Sequence, residues 1–178
     1  MSKPSRVVVL AEDERHQRFV RYYLYRIGHT RHDLRFEPLP SGRGCGEQWV
    51  RERYAAAVRA YRGRRAKTAL IVAMDADVGD VDRRLVQLRS ALSQAGWDAR
   101  ADGEAIAHLI PRRSIETWIL CLTGSQVDEV TDYSREAVDG QIAAAALTFF
   151  NGSRDNAVRP AHWVASLLSA IPEIRRLE

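Results

Sequence analysis

Two stretches, Arg6–Ala11 (RVVVLA) and residues 68–74 (TALIVAM), are hydrophobic almost without interruption and rich in β-branched side chains. A strand with one wet face alternates apolar and polar residues. A strand that is apolar throughout is buried on both faces, the condition of a parallel sheet covered by helices. Each stretch breaks directly into carboxylates, Glu12-Asp13-Glu14 after the first and Asp75-Ala76-Asp77 after the second.

Between and beyond these strands the hydrophobic period changes to that of a helix. Phe19, Val20, Tyr23, Leu24 and Ile27 recur at spacings of three and four, so residues 14–27 form a helix with Gly28 as its C′ residue. Residues 33–39 read as a second strand. Residues 41–46 (SGRGCG) form a glycine-rich loop leading into a helix over 47–61. Residues 81–95 make an amphipathic helix stopped by Gly96. Residues 106–110 make a fourth strand ended by Pro111, and residues 114–122 a helix capped by Ser114. This alternation predicts an α/β fold: a four-stranded, mostly parallel sheet with helices on both faces. After Gly124 the pattern turns helical, with helices over 136–150 and 160–170. The chain divides into an α/β domain (1–124) and a helical C-terminal extension (125–178). The extension packs on the sheet by burying Phe149, Phe150 and Trp163.

At 178 residues and 46% hydrophobic composition the chain can build a real core. Its longest apolar runs fall far short of the roughly 20 residues that span a bilayer, so no membrane partner is expected. The polar N-terminus carries no signal-peptide pattern. Two cysteines, Cys45 and Cys121, are too few for a disulfide framework, which suits the cytoplasm. The formal net charge is +4, and of the 27 basic residues only Lys3 and Lys67 are lysine. Arginine forks match phosphate oxygens in a bidentate way, so nucleic acid is a permitted partner.

In open parallel sheets ligands bind beyond the carboxyl ends of the strands. That edge receives Glu12 from the first strand and Asp75 and Asp77 from the third. The fourth contributes Arg112, Arg113 and, a helical turn on, Glu116. Gathered carboxylates repel unless a hard cation offsets them, which makes Mg²⁺ or Mn²⁺ the expected cofactor. In extended backbone residues i and i+2 point the same way, so Asp75 and Asp77 can share one ion. Glu116 is a candidate further ligand, or a helix-start carboxylate placed by the macrodipole. Trp118 reads as core rather than as a base-stacking ring. The loop at 41–46 could cradle an anion with its backbone N–H groups, but it lacks the Gly-Lys-Ser/Thr of a Walker A loop. The histidines show no paired metal-ligand spacing.

The ordered set VVVLAEDE (Glu12) and LIVAMDAD (Asp75, Asp77) resembles the TOPRIM fold. That module is shared by topoisomerases, bacterial primases and nucleases of the OLD type. IPRRSIETWIL is similar to a segment of TOPRIM-like proteins found beside ATPases in bacterial defence loci. The resemblance covers residues 6–124. It implies a metal-dependent DNA or RNA nuclease, DNA ahead of RNA, with Glu12, Asp75 and Asp77 on the ion. It also implies an ABC- or SMC-like ATPase partner in an antiviral complex. The chain departs from the family in having Asp13 where glycine often follows the glutamate. It also has no lysine placed to assist catalysis, so Arg112, Arg113 or His108 would have to supply positive charge. A catalytically inactive TOPRIM-like scaffold is one alternative. A response-regulator receiver is another, suggested by the acidic pair after the first strand. Against the receiver, no lysine follows Lys67, and Asp75 lies 62 residues beyond Asp13, farther than two short αβ units require.

Overall fold

The computed structural model describes residues 3–39, 46–64, 67–78 and 80–177. It is an α/β protein with strands β1 (Arg6–Ala11), β2 (Leu34–Phe36), β3 (Thr68–Ala73) and β4 (Ile106–Leu109). The six helices are α1 (Glu14–Arg26), α2 (Gly46–Arg62), α3 (Val81–Gln94), α4 (Ile115–Leu122), α5 (Ile142–Ser153) and α6 (Ala165–Arg175). The four strands form one sheet in the order β2-β1-β3-β4, and every pairing is parallel.

The unbroken apolar strands serve two cores with a period of two. Val7, Val9, Ala11, Ala69, Ile71, Ala73, Ala107 and Leu109 face a core shared with α1, α4, α5 and α6. Val8, Leu10, Leu70, Val72, Met74 and Ile106 face the other, closed by α2 and α3. Strand order reverses direction between β1 and β3. β1 leads outward to β2 on one side, β3 leads to β4 on the other, and a crevice opens beyond their carboxyl ends. Ala11 pairs with Ala73, so Glu12, one residue on, and Asp75, two residues on, arrive together at that crevice.

Gly28 ends α1 with φ +90°, in the left-handed region where a Cβ is disfavoured. Some boundaries differ from the sequence reading. β2 is confined to three residues: a 3₁₀ turn over Arg31–Asp33 takes the first residue of the expected strand, and pairing stops at Phe36, three residues before its expected end. The helix expected over 136–150 begins at Ile142 instead. Residues 133–141 fold as successive turns, and Arg15 and Arg18 of α1 hold the Asp139 carboxylate. The last helix runs Ala165–Arg175 rather than 160–170. Its start is capped from a distance, the Ser166 N–H donating to Glu129 Oε1 at 2.9 Å.

The C-terminal helices are continuous with the first core. Phe149 is fully buried, its ring centroid 5.7 Å from Phe19, 5.4 Å from Tyr23 and 6.2 Å from Trp118. Trp163 is buried and Phe150 partly so. Trp118 is a core residue, its indole N–H donating to Ser166 Oγ at 2.8 Å. Among the described residues no helix is long and apolar enough to cross a membrane.

Candidate metal centre

Glu12 follows β1 with its backbone N–H still in the ladder, donating to Ala73 O at 2.9 Å. Its carboxylate turns across the crevice and accepts the Asp75 backbone N–H at 2.8 Å. The first residue of α2 presses on it: a Cβ on Gly46 would stand 2.5 Å from Glu12 Cγ and 2.9 Å from Glu12 O. Only glycine allows that close approach of α2 to Glu12. The rest of the glycine-rich loop, including Cys45, lies outside the described residues.

Asp13 is the N-cap of α1, accepting the His16 backbone N–H at 2.9 Å. This cap lays the first turn of α1 over the strand ends and brings in His16, which is 1% exposed. His16 Nδ1 is 2.8 Å from Asp13 Oδ1, and Nε2 is 3.0 Å from Asp75 Oδ1. Neither Nε2 nor Asp75 Oδ1 has an aligned hydrogen bond among the described residues. Ligand atoms of Glu12, His16 and Asp75 all lie within 4.8 Å of one another, so this trio can hold a metal ion. An open pocket of about 470 Å³ adjoins it, lined by Asp13, Glu14, Arg15, Asp75, Glu116, Ser134 and Asp139.

The remaining sequence candidates are distributed around this trio. Asp77 is not part of the trio, although its carboxylate lies close enough to Glu12 to help raise it. Its backbone is left-handed (φ +54°), which breaks the extended geometry that would aim i and i+2 alike. Its side chain is 56% exposed and bound through Oδ2 to Arg84 Nη2 at 2.7 Å. Glu116 is buried, lines the pocket with Asp75 and is paired with the Arg15 guanidinium. Arg112 is exposed, and its backbone N–H donates to Ser166 Oγ at 3.1 Å. Arg113 is left-handed (φ +71°), forms an isolated antiparallel bridge with Asp77, and stands 3.8 Å from Asp132. Neither arginine is among the pocket's lining residues; Arg15 holds that place. His108 cannot supply positive charge. Burial first and Arg100 second push its pKa down to about 3, and its Nε2 is occupied by the Tyr54 hydroxyl at 2.9 Å.

Two contributors escape a reading by spacing. His16 stands four residues after Glu12, across a strand-to-helix junction, where a search for paired histidines passes over it. Its signal is the Asp13 cap, which folds that helical turn back over the strand end. Arg84 sits on the inner face of α3. Its Nε–H donates to the Asp75 carbonyl at 3.0 Å, while its two terminal nitrogens hold Glu47 and Asp77. It pins the loop that carries Asp75.

The titration of the cluster follows from burial and proximity. Burial pushes Asp75 up to about 7, only partly offset by His16. Burial also raises Glu12. Burial pulls His16 down, but the Asp75 and Asp13 carboxylates on its two nitrogens outweigh it and hold the imidazole well above its ordinary 6.5. For Asp13 burial is likewise outweighed, by its bonds to His16, and its carboxyl falls to about 2.

For the raised groups the folded state keeps protons that the unfolded chain releases. The Asp75 contribution therefore falls as pH rises from its ordinary 3.8 through about 7. The His16 contribution is full below 6.5 and is lost as pH climbs through its folded value. The Asp13 contribution is present above 3.8 and lost toward pH 2. Metal-free protein should thus melt at a lower temperature at pH 8 than at pH 5. The drop should be smaller in Asp75→Asn. Parallel profiles for the two proteins would contradict this assignment.

Comparison of the chain with models of known protein families, with curated proteins and with solved structures found no match. The chain is an α/β protein with a carboxylate-histidine cluster at the carboxyl edge of its parallel sheet.

Proposed function

We propose that this chain is a metal-dependent phosphodiesterase, a DNA or RNA nuclease that uses Mg²⁺ or Mn²⁺. The observation that carries the reading is the composition of the switch-point pocket. Five carboxylates, those of Asp13, Glu14, Asp75, Glu116 and Asp139, face a single guanidinium, that of Arg15. An anionic phosphodiester does not enter such a field alone. A divalent cation would offset the charge, polarise a phosphate oxygen and activate a water. The buried residues fit an ion, because His16 Nε2 and Asp75 Oδ1 face each other without an aligned hydrogen bond.

In this reading Glu12 and Asp75 hold the ion. The Asp75 N–H holds the Glu12 carboxylate, and Arg84 holds the Asp75 loop. Arg15 replaces Arg112 and Arg113 as the cation at the pocket, where it orients Glu116 and faces an entering phosphate. The similarity of VVVLAEDE, LIVAMDAD and IPRRSIETWIL to TOPRIM sequences points the same way. It also suggests a neighbouring ATPase as partner in a cytoplasmic antiviral complex.

The test is cleavage of single- and double-stranded DNA and RNA by the full chain with Mg²⁺ and Mn²⁺ separately. Cleavage that is abolished by a chelator and restored by metal is expected. Metal binding with no cleavage in any combination would instead identify an inactive scaffold.

A further inference from the structure

The sequence pattern assigns the ion to an all-oxygen set, yet the side chain that points into the cluster beside Glu12 and Asp75 is an imidazole. The ring is held from behind. Asp13 Oδ1 lies 2.8 Å from Nδ1, and an ionised carboxylate can only accept, so Nδ1 carries the hydrogen. Nε2 is the nitrogen turned into the site, paired with Asp75 Oδ1 at 3.0 Å in the metal-free protein, and an ion binding there would displace the Nε2 proton. This nitrogen is buried and has no aligned hydrogen bond among the described residues. A carboxylate bonded to the far nitrogen of a ligand histidine is the arrangement that fixes ring orientation and tautomer in metal sites. The spacing also suits an ion. Bonds of about 2.1 Å at right angles separate two donors by about 3.0 Å, and His16 Nε2 and Asp75 Oδ1 are 3.0 Å apart.

We propose that His16 is a metal ligand, that Asp13 is its positioning residue, and that the resulting nitrogen-and-carboxylate donor set selects Mn²⁺ or another first-row transition-metal ion over Mg²⁺. The proposal rests on the metal centre described above and changes which ion it takes. Mg²⁺ is a hard cation that keeps its waters and favours oxygen, so an imidazole ligand gains it little. First-row transition ions accept imidazole readily, with Mn²⁺ at the weak end of their order. Asp77 is then free to remain on Arg84, where the structure has it.

The experiment is pulsed electron paramagnetic resonance on the untagged full chain loaded with Mn²⁺ alone, with competition by Mg²⁺. The wild type should show modulation from a directly bound ¹⁴N and should bind Mn²⁺ at least about 10-fold more tightly than Mg²⁺. His16→Asn should lose the nitrogen signal and most of the preference, which separates His16 from the other histidines. Asp13→Asn keeps an N-cap and an acceptor for Nδ1–H. It should retain the signal while binding Mn²⁺ about 10-fold more weakly. If His16→Asn fails to fold, a wild-type spectrum without nitrogen modulation still overturns the proposal, and the weakening in Asp13→Asn still ties the signal to His16. Bound Mn²⁺ without nitrogen modulation, or no Mn²⁺ binding at millimolar concentration, would overturn the proposal. Nitrogen modulation without cleavage would remove the nuclease reading and leave this one standing. Cleavage without nitrogen modulation would do the reverse.

Discussion

Asp75→Asn is expected to lower metal-dependent phosphodiester hydrolysis by at least about 10³-fold, equivalent to about 4 kcal/mol of transition-state stabilisation. In metal-free buffer at pH 8 it should leave the melting temperature unchanged or raised. The two effects have one cause. Asp75 is largely enclosed between Glu12 and His16, with its side chain 14% exposed, and desolvation pushes its pKa up to about 7, so at pH 8 the fold carries an ionised carboxylate in a poor environment. Asparagine keeps the shape, removes the charge and can still bond His16. What it loses is the anionic ligand. Mn²⁺ should accordingly raise the melting temperature of the wild type by mass action and that of the variant much less. Cleavage at wild-type rate by Asp75→Asn would mean that the activity resides elsewhere. A large fall in metal-free melting temperature would mean that the His16–Asp75 contact is a structural ion pair.

Phe149→Ala should be the most disruptive single core truncation in the C-terminal helices, destabilising the protein by about 3–5 kcal/mol. The ring lies among Phe19, Tyr23 and Trp118, which belong to α1 and α4. Those helices also carry His16 and Glu116, so the cavity opens directly behind the site. At this chain length the change corresponds to a fall in Tm of roughly 10 °C. Thermal unfolding of the variant checks it, and a loss below about 1 kcal/mol would show that the tail is a separable module. The same packing is the physical reason to expect an insoluble product when residues 125–178 are removed, since the first core would lose an entire side.

The parallel sheet was legible because buried strands have a simple signature. The continuous runs at Arg6–Ala11 and Thr68–Ala73 need two covered faces, and the structure provides them. Glu12 and Asp75 were legible for a related reason, since carboxylates that end adjacent parallel strands meet at one edge. What was not legible depends on backbone and side-chain choices that spacing does not encode. The Asp75-Ala76-Asp77 spacing implied shared orientation, but aspartate tolerates the left-handed conformation, and Asp77 adopts it and turns to Arg84. His16 arrives from a helix rather than a strand, positioned by the Asp13 cap. Arg112 and Arg113 follow β4 as expected, yet the pocket's guanidinium is Arg15, set by its pair with Glu116 across 101 residues of chain. The late start of α5 likewise depends on a tertiary contact, the hold of Arg15 and Arg18 on Asp139.

The most direct test of the metal centre is anomalous diffraction from crystals of the untagged chain soaked in Mn²⁺. The expected result is a peak bounded by the Glu12 and Asp75 carboxylates and His16 Nε2, present in the wild type and absent in Asp75→Asn. A strongest peak at Asp77, or among Glu14, Glu116 and Asp139 with Glu12 and Asp75 uninvolved, would contradict the account. So would soaked crystals with no peak at the switch point.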